Sequence, residues 1–326
     1  MNIIVKLLCP TSLLIVSCLT MGQTVPDHPL AWAYPWLLPS EKISSEVNPD
    51  SILNVTDSDR TFTYRQTKDP FFSPDWHPEE HPVMPDIVKY GRRPDVVACG
   101  VCHRADGSGG PENASLNGLS SDYVIEQLAA FKSDQRKQAF LPDLGPGIWM
   151  HRIARVISDE ELKVAAEYFA SINPRNNIEV IEAVLIPKVK VNGTFYSYLK
   201  TDEKELLGNR IIEGPNDIEQ FEKRDTRSRF TAYVPVGSID RGKRLAEAID
   251  SQKTMRCASC HGSGLKGVGV IPRLAGRSPT YITRQLFDIQ TGSRTGDKIA
   301  PMLAVVEKLT PDDMISLAAY ISSLSP

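Results

Sequence analysis

Two short stretches carry residue types that do chemistry. Cys99, Cys102 and His103 stand in "ACGVCHRADGSGG", and Cys257, Cys260 and His261 repeat the arrangement in "RCASCHGSGLKG". Two thiols beside an imidazole suit a zinc clip, a redox dithiol or an anchor for a larger group. Paired zinc knuckles place the second CxxC about 15 to 20 residues after the first, whereas 154 residues separate Cys102 from Cys257. A thioredoxin-like dithiol opens a helix in a βαβ context, and neither flank shows that strand pattern. C-x-x-C-H is the attachment signal of c-type haem: two thiols add to two vinyl groups, and the adjacent histidine reaches the iron. The spacing predicts one haem c on Cys99 and Cys102 and a second on Cys257 and Cys260, with His103 and His261 as axial ligands.

The elements that would position these groups are repeated. With His103 set on His261, Leu116, Asn117 and Gly118 fall on Leu274, Ala275 and Gly276 without a gap. Tyr123, Gln127, Leu128 and Arg136 then fall on Tyr281, Gln285, Leu286 and Arg294, which marks two copies of one module. Met150 and Met302 are the expected second iron ligands, at distances from the histidine that differ by six residues. Ser158 and Thr310, each eight residues past its methionine, read as N-caps of a closing helix, the first with a capping box and the second followed by Pro311. Apolar positions Leu162, Ala165, Ala166, Phe169 and Ile172 match Met314, Leu317, Ala318, Ile321 and Leu324, one core-facing stripe per helix. Met314 takes the slot of Leu162 and therefore reads as packing. His151 is a rival to Met150, but its counterpart is Leu303.

At this point the chain resembles the class I c-type cytochromes, and more closely the exported dihaem forms with two modules in tandem. The likeness rests on CxxCH, Leu-x-Gly, Tyr-x-x-x-Gln-Leu, the later methionine and the closing helix, over residues 83–175 and 237–326. It implies a mainly α fold, with a small all-α shell around each haem, His/Met ligation and electron transfer without bond-making chemistry. A thioether favours ferrous iron, so such ligation raises the potential relative to two nitrogens. The first copy departs from the pattern at Arg104, where Gly262 stands in the second, and at residues 140–147, which hold six extra positions. Arg136 and Arg294 either pair with haem propionates or sit at solvated helix ends.

Residues 1–18 read as a targeting segment, with Lys6 ahead of an apolar run from Leu7 to Val16 that is too short to span a bilayer. Ile15, Val16, Ser17 and Cys18 resemble a lipobox, with Cys18 the lipidation candidate, and cleavage after Gly22 is the competing reading. Either places the protein in the periplasm or on the outer face of the cell envelope. Residues 19–82 form a proline-rich extension whose Trp32, Trp36 and Trp76 are expected to pack on the first module. His77 and His81 precede prolines and read as loop histidines. Residues 176–236 form a long linker, with a hairpin at Val189 and Val191, an Asn192-Gly193 turn, then Phe195 and Tyr196. Its charged run at 219–229 reads as surface loop.

With 37 basic and 40 acidic residues the formal net charge is −3, and no basic run marks a nucleic-acid partner. The first expectation is a carrier of single electrons between a redox donor and acceptor, such as an exported or membrane dehydrogenase or oxidase. Two alternatives stand beside it: a peroxidase-like enzyme with one displaceable axial ligand, and a cytochrome subunit of a larger dehydrogenase.

Overall fold

The computed structural model describes residues 27–36, 47–140, 145–249 and 253–326. The expected signal segment and Cys18 lie outside the described residues. In the extension, β1 (Ile52–Leu53) and β2 (Phe62–Thr63) pair antiparallel and lead into α1 (Tyr64–Lys68), capped reciprocally by Thr63 and Gln66. The first module follows with α2 (Asp86–Lys89), α3 (Cys99–His103), α4 (Ser121–Lys132), α5 (Pro146–Val156) and α6 (Asp159–Ala170).

Then come β3 (Ile178–Glu182), β4 (Leu185–Pro187), β5 (Val189–Asn192), β6 (Phe195–Tyr198), β7 (Lys204–Leu206), β8 (Ile212–Pro215), α7 (Ile218–Glu222) and β9 (Phe230–Val234). The second module contains α8 (Ser238–Ala246), α9 (Ala258–His261), α10 (Pro279–Gln290), α11 (Ala300–Val306) and α12 (Pro311–Ser323).

The closing helices form where the sequence places their caps. Ser158 accepts from the Glu161 amide and Thr310 from the Asp313 amide, and each acidic side chain returns a bond to its cap's backbone. Satisfying otherwise orphaned amides in this way is worth about 1 kcal/mol per cap. Beyond the caps, Ala165, Ala166 and Phe169 of α6 and Met314, Leu317, Ala318 and Ile321 of α12 are buried. Met314 is fully buried in the second core, in keeping with a packing role. Helix α12 crosses α8 at Gly242, where an added Cβ would lie 1.9 Å from the Ser316 carbonyl oxygen. Only glycine permits that approach.

The fold is mixed rather than mainly α, because the middle segment is a β structure of its own. Strand β9 runs between β3, parallel to it, and β8, antiparallel to it. Phe230, Ala232 and Val234 of β9 and Ile178 of β3 join the core of the second module. A hairpin pairs Val189 with Tyr198 and Asn192 with Phe195, and Gly193 takes the left-handed conformation its turn requires (φ +64°). The run at 219–229 is not surface loop: Phe221, Asp225, Thr226 and Ser228 are buried. Buried Arg104, itself at φ +69°, donates to the Phe221 carbonyl at 3.0 Å and lies 4.4 Å from the Phe221 ring centroid. Arg224 returns a bond to the Val101 carbonyl. The arginine that replaces glycine after the first motif thus fastens the middle segment to it.

The extension also departs from expectation, since its two ends pack in different places. Leu30, Ala33 and Tyr34 enter the core of the second module, not the first, and Trp32 packs against the same cluster. Tyr34 donates to the Asp288 carboxylate at 2.7 Å, and Arg284 donates to the Ala33 carbonyl at 2.9 Å. Buried Trp76 instead donates to the Lys223 carbonyl at 2.8 Å. Of the two loop histidines, His77 is fully buried with Nε2 3.1 Å from Asp225, and His81 holds Asp75 at 3.1 Å. Large aromatic and paired polar groups bury most surface between bodies, and sequence alone does not say which bodies meet.

Candidate haem-binding site

Each CxxCH motif folds into a short helix that ends at its histidine, and each histidine is held the same way. The His103 Nδ1–H donates to the Ala114 carbonyl and the His261 Nδ1–H to the Pro272 carbonyl, both at 2.8 Å. A carbonyl only accepts, so this bond fixes the tautomer and leaves the Nε2 lone pair for a metal. The two acceptors occupy equivalent positions of the repeat. Burial pulls both imidazoles below their ordinary range, and at His103 the Arg136 and Arg277 charges lower it further.

The four motif cysteines are free of disulfides. Burial pushes the Cys99 thiol up to about 12 and Cys257 up to about 11, and raises Cys102 as well.

A cavity opens in front of His103. Leu116, Leu119, Tyr123, Val124 and Leu128 form an apolar side, and Met150 and His151 stand on the same wall. The expected ligands His103 and Met150 are therefore brought together. His151 lies beside them, its Nδ1 at 2.9 Å from the Phe131 carbonyl and its ring edge-on to Phe131. In the second module, Cys257, Leu274, Tyr281 and Met302 pack on one core cluster.

Arg136 and Arg294 sit neither at solvated ends nor near their own modules alone. Both are buried and meet as an antiparallel bridge between modules. Arg136 donates to Gln127 at 2.8 Å and to Tyr281 at 2.9 Å; Arg294 donates to Gln285 at 2.9 Å and to Tyr123 at 3.2 Å. Each side chain thus binds its own module's glutamine and the other module's tyrosine. Burial would raise the Tyr281 phenol, yet Arg136, Arg277 and Arg294 pull it down to about 8. So strong a positive field in the interior calls for anions. Two haem c groups carry four propionates, and the residues present fit them: apolar walls, two free imidazole nitrogens, four thiols and a cationic boundary. Sequence reasoning missed Arg277 and Arg284, both on the cavity wall, because neither has a charged-alike counterpart in the first copy.

Comparison with known proteins agrees. The family model for cytochrome c matches residues 239–325. Cytochrome c-554(548) of Halomonas halodenitrificans is 34% identical over 77 residues, covering 23% of this chain and 93% of that protein. The chain belongs to the cytochrome c family, and with its two modules it is a dihaem c-type cytochrome bearing two covalently bound haem c groups. Over a longer span, cytochrome c4 of Pseudomonas aeruginosa is 25% identical over 235 residues, 70% of this chain and 85% of that protein. A thiosulfate dehydrogenase electron acceptor of Thiomonas intermedia is 25% identical over 240 residues, 72% of this chain and 82% of that one.

Proposed function

We propose that this protein is a one-electron relay outside the cytoplasm, taking electrons from a redox enzyme such as a dehydrogenase and passing them to a second redox protein. The observation that carries the reading is the pair of CxxCH helices, each with an Nδ1-locked histidine, in modules joined through a buried cationic boundary. Bound haem c supplies the Fe(III)/Fe(II) couple. Cys99 and Cys102 anchor one haem, Cys257 and Cys260 the other. His103 with Met150 and His261 with Met302 would hold the two irons, which would leave no position open for substrate. The carbonyls of Ala114 and Pro272 hold the imidazoles in one orientation. The buried apolar walls would keep water from the bound group, and Arg136 and Arg294 set a positive field beside it.

The relatives named as electron acceptor and cytochrome c4 support the donor side of this reading. A signal segment at 1–18, with Cys18 as a lipid anchor, fits the same location. Residues 83–175 and 237–326 are the two haem domains in this reading, with 19–82 and 176–236 binding them together. Among the described residues no helix is long and apolar enough to cross a membrane.

The test is the visible spectrum of the reduced protein before and after carbon monoxide. An unchanged spectrum is expected of two six-coordinate irons. A change in about half the haem would overturn the carrier reading for that module and favour an enzyme with a displaceable ligand.

A further inference from the structure

The two modules share Arg136 and Arg294, but the next cations break the symmetry. In the gapless alignment Arg277 falls on Leu119 and Arg284 on Glu126. Leu119 is buried in an apolar cluster with Tyr123, Val124 and Ala166. Arg277 is just as buried, at 3% exposure. Although it belongs to the second module, it lines the cavity that holds the first module's His103. Its guanidinium lies 4.9 Å from the Tyr281 ring centroid, and its Nη1 has no hydrogen-bond partner. A buried guanidinium nitrogen without an acceptor is unfavourable, so an acceptor from outside the polypeptide is called for.

The same wall carries Arg136, Lys137 and Arg284 as further cations, against Glu112 and Asp288. Arg284 is committed to the Ala33 and Pro111 carbonyls, at 2.9 and 2.7 Å. Asp288 is committed to Tyr34 and to the Ala139 amide at 2.8 Å; one Glu112 oxygen accepts from Asn113 at 3.0 Å and its other oxygen, buried, forms no bond to Arg277. Arg277 is the wall guanidinium with a nitrogen left over.

We propose that Arg277 reaches across the module boundary, holds a propionate of the haem anchored at Cys99 and Cys102, and makes that haem the more readily reduced of the two. This rests on the two-haem reading above. Reduction adds one electron to the iron, so a fixed positive charge nearby in a low-dielectric interior stabilises the ferrous state. Arg136 stands on the same wall as Arg277, so its charge favours the first haem as well. Leu119, in the matching position, contributes no charge to the haem at Cys257 and Cys260. A single electron shared inside the protein therefore resides on the first iron, with the second oxidised.

The experiment is a redox titration of the full two-haem protein, followed by its visible spectrum, for the wild type, Arg277→Leu and Arg277→Lys. Each is measured also with Met302→His, which lowers the second haem's potential and labels its wave. In Arg277→Leu the reduced-to-oxidised ratio of the first haem, read at the wild-type midpoint, is expected to fall about tenfold, a 59 mV downshift for one electron. The second wave should stay. Arg277→Lys keeps the charge but not the planar fork, so a smaller downshift of the first wave alone is expected, and this variant carries the test if the leucine protein does not accumulate. An unmoved first wave, or movement of the second alone, would overturn the proposal. Wild-type mass short of two haems would instead overturn the two-haem reading beneath it.

Discussion

Arg136 and Arg294 form one reciprocal unit: each donates to both Gln127 and Gln285 and to the tyrosine of the opposite module. Two copies of one sequence motif thereby become each other's second layer. Neither module can satisfy its arginine alone, so the boundary behaves as a single hydrogen-bonded network. It also sets a positive field at the module boundary, beside the cavity that holds His103.

The network makes a prediction about coupling. Arg136→Met and Arg294→Met should each cost about 1 to 3 kcal/mol by leaving glutamine and tyrosine groups unpaired. The double variant should cost less than the sum, because the same acceptors are lost twice. A double-mutant cycle from urea unfolding would read this, and strict additivity would show two independent contacts.

At the α8–α12 crossing, the Cβ introduced by Gly242→Ala would meet the Ser316 carbonyl at 1.9 Å and the Tyr320 side chain at 2.8 Å. Overpacking of this kind costs about 1 to 3 kcal/mol or more. Gly193→Ala has nothing within 4 Å and meets only its positive φ, so it should cost about 1 kcal/mol. Unfolding midpoints of the two variants in that order would support the crossing; the reverse order would contradict it.

Asp313 sets an acid limit on the second module. Burial pushes its carboxyl up, but bonds from Thr310, Lys253 and Arg241 outweigh this and hold it down at about 2. The unfolded value is about 3.9, so the stabilisation is present above that pH and disappears as pH falls through the folded value. Asp313→Asn should lose about 2 kcal/mol at neutral pH. Its stability should also fall less steeply than wild type between about pH 4 and pH 2. Parallel curves for the two proteins would remove Asp313 as the cause.

Ligand identity is open to spectroscopy. Met150→Ala and Met302→Ala should each remove about half of the weak red charge-transfer band of ferric methionine-ligated haem, and each should open half of the haem to carbon monoxide. His151→Leu should leave both readouts intact. Loss of the band in His151→Leu, with Met150→Ala silent, would transfer the ligand role at the first haem to His151.

The sequence by itself determined the haem chemistry and the repeated module. Both are short-range properties: CxxCH fixes two thiols and an imidazole within one helical turn, and caps such as Ser158 and Thr310 act on amides three residues away. The core stripe of α6 was legible for the same reason, since periodicity records which face is buried, whereas α12 is buried nearly all round, with Asp313, Ile315, Ser316 and Ala319 buried beside the expected stripe. What the tertiary structure decided is which bodies share those cores. Tyr34 crosses to Asp288, Arg104 pins the Phe221 segment, and Arg277 faces the other module's histidine. Each contact joins residues far apart in the chain, and buried polar groups find whichever partner the packing of whole modules brings within reach. Within the middle segment the β5–β6 hairpin was legible from its Asn192-Gly193 turn, but the parallel pairing of β3 with β9 and their entry into the second core join residues too far apart for any local pattern to encode.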